Sequence, residues 1–272
     1  MISASDRIFL AALCLARAGL RVDADKSYLI ESRLAPVARR EGFASPEDFI
    51  GALRERGDER QGWAAVEAMG LPETEFYRNR AVFERLVGDV LPTLAQGRGG
   101  QPVRVWNAAC GSGQEIYSLA MMLADAPTLG RQVELFASDL SERNLEKAQA
   151  GLYSQFETQR GLPARMLVRH FEKRGESFAL SPRVRQMVRW RRVNLLDDLS
   201  RLGQFDLILC RNMLTQLTAE AQERVLDGLK AALAPGGRLV LGVKESPGST
   251  LSPAAREIGL YGLADEQARS AA

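Results

Sequence analysis

The chain has a single histidine, His170, and only three cysteines, Cys14, Cys110 and Cys210, with no C-x-x-C pair among them. Histidine- or cysteine-built zinc sites and disulfide-stapled secreted scaffolds both need more of these residues in closer spacing. A reduced, cytoplasmic protein with no metal site is therefore expected. Excess charge is also missing: 36 Lys and Arg oppose 34 Asp and Glu, for a net charge of +2. Affinity for nucleic acid or a membrane surface would have to come from a local patch. No apolar run is long enough to span a membrane. The run Ile8–Ala16 superficially resembles the core of a signal peptide, but it follows Asp6, lacks a convincing cleavage site and continues as a helix through Arg17.

What the sequence does contain is VRVWNAACGSGQEIYSLAMMLA, from Val103 to Ala124. An apolar run stops at Gly111-Ser112-Gly113, and a helical pattern with Tyr117, Leu119, Ala120 and Leu123 starts at once. Strand, glycine turn and helix in that order let a ligand lie against bare main chain at a helix N-terminus. The third glycine of the dinucleotide pattern G-x-G-x-x-G is missing, which favours S-adenosylmethionine over NAD. Val133–Asp139 is a second buried strand ending in an acid, placed either to accept from ribose hydroxyls or to cap the next helix. Further strands are expected at Val188–Leu195, Phe205–Cys210 and Arg238–Val243, with a helix over Thr218–Leu233 closed by Pro235-Gly236-Gly237. Strands alternating with helices predict a doubly wound, mainly parallel sheet.

Residues 1–75 show helical patterns only. Ser3 with Asp6 opens a first helix closed by Gly19, and Ser45-Pro46-Glu47-Asp48 opens a third. Between them, Lys26–Arg40 carries Tyr28, Leu29, Leu34 and Val37 inward, with Pro36 kinking or splitting it. Arg33, Arg39 and Arg40 form either a solvated face or a docking face for an acidic partner. Residues 76–101 are a linker helix and the connector QGRGGQ, preceded by Glu73-Thr74-Glu75-Phe76-Tyr77-Arg78, which is either a packed linker or a lid over the cofactor.

These motifs together resemble the chemotaxis receptor methyltransferases of the CheR type. The resemblance rests on E-T-E-F-Y-R, A-x-C-G-S-G-Q-E-x-Y-S-L-A, F-A-S-D-L, L-E-K-A-x-x-G-x-Y, N-L-L-D, F-D-L-I-L-C-R-N and A-P-G-G-x-L-x-L-G, in this order along nearly the whole chain. It implies an S-adenosylmethionine-binding methyltransferase domain over 102–272, with a small antiparallel β insert, and a small helical domain whose basic second helix faces a receptor. It also implies that Thr74, Arg78, Ala109, Gly111, Glu115, Asp139, Asn194, Leu195, Arg211 and Asn212 contact the cofactor, and that Arg78 and Gln216 are catalytic positions. The activity implied is methyl transfer to glutamates on the cytoplasmic helices of a chemoreceptor, by a monomer that neither enters the membrane nor binds DNA. A carboxylate is already ionised at neutral pH, so positioning does most of the work. Three positions depart from the family pattern: Gln216 replaces a tyrosine, Pro72 an asparagine, and Val243-Lys244-Glu245-Ser246 stands for H-S-E-S.

The segment 161–192 is basic, with Lys or Arg at 165, 169, 173, 174, 183, 185, 189, 191 and 192. Arg183, Arg185, Arg189 and Arg191 share one parity and Val184, Val188 and Trp190 the other, which predicts a strand with one basic face. The short turn Arg174-Gly175-Glu176-Ser177 points to a receptor held without a pentapeptide tether. Two other classes stay open: a nucleic-acid methyltransferase, motivated by the arginine strand, and a cofactor-binding scaffold without turnover, motivated by Gln216.

Overall fold

Serine and aspartate caps open three of the four N-terminal helices. Ser3 Oγ accepts from the Asp6 N–H at 3.1 Å, Ser45 Oγ from Asp48 N–H at 3.1 Å and Asp58 Oδ1 from Gln61 N–H at 2.8 Å, each satisfying a donor that a helix start leaves orphaned. The computed structural model describes residues 2–70, 74–249 and 251–263. Two compact units divide the chain: Met1–Leu71 with Leu214–Val225, and Pro72–Met213 with Leu226–Ala272. Pro72 and Glu73, singled out in the sequence, lie outside the described residues.

The first unit packs helices Ala4–Ala18, Ser27–Arg40, Pro46–Arg56 and Glu59–Met69 around Leu10, Cys14, Ile30, Leu34, Phe49, Ile50 and Val66, all buried. The second helix runs through Pro36 without a break. Its inward face is Ile30, Leu34, Val37 and Ala38, whereas Tyr28 is 68% exposed, contrary to the inward placement expected of it. Tyr28 sits in the first turn, on the side away from that stripe. Of the three arginines expected on one face, Arg33 donates to the Met69 carbonyl at 3.0 Å, capping the fourth helix, and Arg40 pairs with Glu41 at 3.2 Å. Arg39 is exposed. The distant segment 214–225 joins this unit through an antiparallel bridge between Leu20 and Leu217, and the Gln216 carbonyl accepts from Arg21 N–H at 2.8 Å.

In the second unit the strands are β1 (Val103–Asn107), β2 (Val133–Asp139), β3 (Leu152–Ser154), β4 (Phe171–Arg174), β5 (Ser177–Leu180), β6 (Val188–Arg192), β7 (Phe205–Cys210), β8 (Leu233–Leu241), β9 (Leu251–Ala255) and β10 (Leu260–Leu263). Seven of them form one sheet in the order β6-β2-β1-β7-β8-β10-β9. Its first five members run parallel, and β10 is antiparallel to both β8 and β9. Every residue of β7 is buried, as expected of a central strand covered on both faces. The order of strands reverses between β1 and β7, so a crevice opens beyond their carboxyl ends. The helix Gln114–Asp125 follows β1 and is buried nearly all round.

A second, three-stranded antiparallel sheet has the order β3-β5-β4. It begins upstream of residue 161, and it does not include the arginine-rich stretch. Ser181-Pro182 starts a helical turn, Pro182–Arg185, because proline suits the first helical position. Parity two is lost there. Arg183 Nη2 donates to the Ala124 carbonyl at 2.9 Å and Arg185 Nη1 to the Ala150 carbonyl at 3.1 Å, two helix ends where cations are favourable. Only Val188–Arg192 is extended, and it is the edge strand of the large sheet. Near the chain's other end, Pro235-Gly236-Gly237 does not close a helix. The helix Ala219–Ala231 has already stopped, and the three residues form an irregularity inside β8, where its register against β7 shifts between Phe205 and Leu207.

Candidate active site at the strand carboxyl ends

The glycine turn is held from both sides. Ala108 N–H donates to the Leu209 carbonyl at 2.8 Å and Cys110 N–H to the Ser138 carbonyl at 2.9 Å, tying the turn to β7 and β2. Gly111 and Gly113 have φ of 54° and 89°, where side chains are strained. At Gly113 a Cβ would stand 2.9 Å from Ala148 Cβ and 3.1 Å from the Trp190 ring, so packing demands glycine as well. Ala109 is half-buried in the same turn.

Asp139, at the end of β2, accepts from Gly111 N–H at 2.8 Å, from Ser141 N–H at 3.0 Å and from the Asn144 amide at 3.1 Å. Burial pushes its carboxyl above the usual carboxylate value, and those donors oppose the shift. An ionised carboxylate offers about four acceptor positions, so roughly one is left over for a ligand. Both roles expected of Asp139 are thus compatible. Val193 N–H donates to the Asp139 carbonyl at 3.1 Å, which brings Asn194 and the buried Leu195 to the adjacent strand end. Asn194 Oδ1 accepts from Leu196 N–H at 3.2 Å.

Across the crevice, Arg211 follows β7. Its Nη1 donates to Glu115 Oε2 at 2.5 Å and its Nη2 to the Arg78 carbonyl at 3.0 Å. The other Glu115 oxygen accepts from the Asn107 amide at 3.1 Å. Burial drives the Glu115 carboxyl up, while the Arg211 guanidinium, the Asn107 amide and the charge of Arg78 pull it back. Arg78 itself stands between Tyr77 and Asn79, at φ of 50° and 57°. A left-handed aromatic residue is uncommon and costs on the order of 1–2 kcal/mol. It is held there by burial: Tyr77 N–H donates to Ser118 Oγ at 2.9 Å, and the fully buried Phe76 meets Tyr153 and Phe171 edge-on, with ring centres 5.0 and 5.7 Å away. The two aromatics of this stretch are therefore anchors rather than a loose cover.

Residues 72–252 match the family model described as CheR methyltransferase, SAM binding domain, and residues 8–63 match CheR methyltransferase, all-alpha domain. The chain belongs to the CheR methyltransferase family. It is 37% identical over 247 residues to chemotaxis protein methyltransferase 1 of Pseudomonas aeruginosa, covering 88% of both chains. It is 34% identical over 248 residues to chemotaxis protein methyltransferase Cher2 of Pseudomonas putida, again covering 88% of each. It also shares 34% identity over 231 residues with a probable biofilm formation methyltransferase, WspC, of Pseudomonas putida, covering 84% of this chain and 54% of that one.

S-adenosylmethionine is the cofactor of this CheR-family chain, and the crevice fits it. Thr74 Oγ1 and Arg211 Nε are buried with no hydrogen-bond partner among the described residues, an arrangement that a polar ligand relieves. The methionine end of the cofactor carries both an ammonium and a carboxylate, and the crevice offers groups of both signs. Among the described residues no cluster of His, Cys, Asp or Glu is arranged to hold a metal ion, and no helix is long and apolar enough to cross a membrane.

The contacts above link the glycine turn, Asp139 and Asn194 on one side, and Glu115, Arg211 and the Arg78 main chain on the other. Asn212 follows Arg211 in a left-handed conformation. Gln216, expected to be catalytic, lies in the segment 214–225 that groups with the helical unit. Two polar side chains fall outside the expected set of site residues. Asn107, 2% exposed, has a signal in hindsight, an amide ending a strand that is apolar apart from Arg104. Glu245 stands in the Val243-Lys244-Glu245-Ser246 stretch already set against H-S-E-S, to which no role was assigned.

Proposed function

We propose that this chain methylates glutamate side chains on the cytoplasmic helices of a chemoreceptor, forming glutamyl methyl esters during chemosensory adaptation, without a pentapeptide tether. S-adenosylmethionine, when bound, supplies an electrophilic methyl group on a sulfonium. In this reading Asp139 accepts from the ribose, Asn194 and Leu195 flank the adenosine, and the turn at Ala109 and Gly111 lies against it. Thr74, Glu115, Arg211 and Asn212 take the methionine end. Glu115 is the group assigned to the ammonium, its two oxygens being held in place by Arg211 and Asn107.

The observation that carries the choice of nucleophile is the acid–base character of the crevice. Among the described residues, the carboxylates Glu115, Asp139 and the adjacent Glu245 are all committed to hydrogen bonds, and the charge of Arg78 acts on Glu115 beside Arg211. The chain's one histidine lies elsewhere, its Nε2 3.2 Å from Asp125. Hydroxyl and amine nucleophiles must shed a proton, whereas a carboxylate arrives without one. Arg78 binds that carboxylate, neutralises it and fixes its approach. The nucleic-acid alternative keeps only part of its motive, since Arg183 and Arg185 are engaged in capping helix ends while Arg189 and Arg191 stay exposed on β6.

Arg78 tests the assignment. Arg78→Ala is expected to lose turnover well beyond any loss of cofactor affinity, and Arg78→Lys to retain part of it, because lysine keeps the charge but not the fork. Equal loss in both variants, in proportion to cofactor affinity, would make Arg78 a cofactor ligand only.

A further inference from the structure

Glu245 lies just beyond the end of β8 and is buried, 7% exposed. Its Oε2 accepts from two backbone donors at once: Asn212 N–H at 2.8 Å and Gly242 N–H at 2.7 Å. Gly242 is the residue after β8, and Asn212 the second after β7, and these strands are neighbours, with Cys210 opposite Leu241. One carboxylate oxygen therefore stitches two strand ends together beside the crevice. The stitch is close enough to exclude any side chain at 242. A Cβ there would meet Glu245 Oε2 at 2.8 Å, Asn212 Oδ1 at 2.9 Å and Asn212 N at 3.0 Å. Asn212 is held at φ 62°, the only left-handed residue other than glycine after Asn79 among the described residues. A conformation of that kind persists only where its surroundings determine it.

We infer that Glu245 is a positioning residue for cofactor binding: its carboxylate fixes the backbone of the Arg211–Asn212 turn, and with it the direction in which both side chains face the crevice. The inference rests on the cofactor role proposed above for Arg211 and Asn212. Bonds from an anion to main-chain N–H groups are among the stronger hydrogen bonds. They act here on backbone, so no side chain of the turn can replace them. A third bond in the cluster, Glu245 N–H to the Gly242 carbonyl at 2.9 Å, closes a tight turn that aims the carboxylate back at the strand ends.

The test compares Glu245→Ala, Glu245→Gln and Asn212→Gly, reading S-adenosylhomocysteine affinity by calorimetry and, on ligand-free protein, hydrogen exchange at the Asn212 and Gly242 amides. Glu245→Ala is expected to weaken binding about tenfold and to speed exchange at both amides, while Glu245→Gln, whose amide oxygen still accepts, stays within about threefold of the parent. If Glu245→Ala binds like the parent while Asn212→Gly is weakened, the turn serves the cofactor but Glu245 does not position it, and the inference falls. If Asn212→Gly also binds like the parent, the assignment of Asn212 to the cofactor fails instead. Should Glu245→Ala not fold, Glu245→Asp withdraws the carboxylate by one methylene and is expected to show a several-fold loss, with parent-like affinity and exchange overturning the inference.

Discussion

Arg211 Nη1 stands 2.5 Å from Glu115 Oε2, and the two side chains expose only 3% and 11% of their surface. The pair spans the point where strand order reverses, joining the end of β7 to the first turn of the helix after β1. Removing one member leaves the other charge buried and unmatched. Arg211→Met is expected to cost about 3–5 kcal/mol in urea unfolding, whereas Arg211→Met combined with Glu115→Gln costs less than the sum of the single changes, because no orphaned ion remains. Strict additivity would mean the ions act independently.

Gly161, at φ 80°, comes so near the Phe76 carbonyl that a Cβ would lie 1.9 Å from that oxygen. Gly175, at φ 58°, has open space instead. Alanine at either site meets the left-handed penalty of about 1–2 kcal/mol. Only Gly161→Ala must also push the Phe76 main chain, two residues from Arg78. Thermal melts should show Gly161→Ala clearly less stable than Gly175→Ala, and calorimetry should show weaker cofactor binding in the former alone. Matching behaviour in both assays would mean the segment yields without consequence.

His170 is the chain's only imidazole, nearly buried and 3.2 Å from Asp125. Burial holds its pKa below the ordinary 6.5; Asp125 opposes that shift, and Arg169 and Arg183 reinforce it. A folded pKa below the unfolded one means that the unfolded chain takes up the proton first. The stability associated with neutral His170 is therefore complete above 6.5 and is lost as pH falls through that value and then through the folded pKa. His170→Gln should flatten the stability profile on the acid side of neutrality, measured by denaturant midpoints. An unchanged profile would assign the dependence to carboxylates.

Much of the architecture was legible because hydrophobic runs bounded by glycine are local signals. Val133–Asp139 and Phe205–Cys210 are strands over those spans, and the glycine turn joins strand to helix. Arg183 to Arg191 misled because a short window of alternation cannot register that Pro182 opens a helical turn, nor that two of its arginines have helix carbonyls to cap. The antiparallel pair β9 and β10 went unforeseen, since Leu251–Ala255 has one buried residue and shows little apolar patterning. Placement of residues 214–225 with the helical unit depends on backbone bonds to Gly19 and Arg21, about which neighbouring residues carry no information. The role of Glu245, though the residue stood in the Val243–Ser246 stretch, was hidden for the same reason: its carboxylate holds main-chain N–H groups.

Gln216, in that same segment, stands where the family pattern has tyrosine. Glutamine is shorter and more flexible than tyrosine, and its amide both donates and accepts. If transfer depends mainly on positioning, Gln216→Tyr should speed single-turnover methylation with cofactor affinity nearly unchanged. A variant slower than the parent would show that Gln216 is itself adapted to its substrate.

The central claim is the chemical nature of the product. The chain, incubated with S-adenosylmethionine labelled in its methyl group and a chemoreceptor cytoplasmic fragment, is expected to place label on the fragment that mild alkali releases as methanol, and to place none on a fragment whose methylatable glutamates are replaced by alanine. Label that survives alkali, or label that persists on the alanine fragment, would contradict glutamyl ester formation.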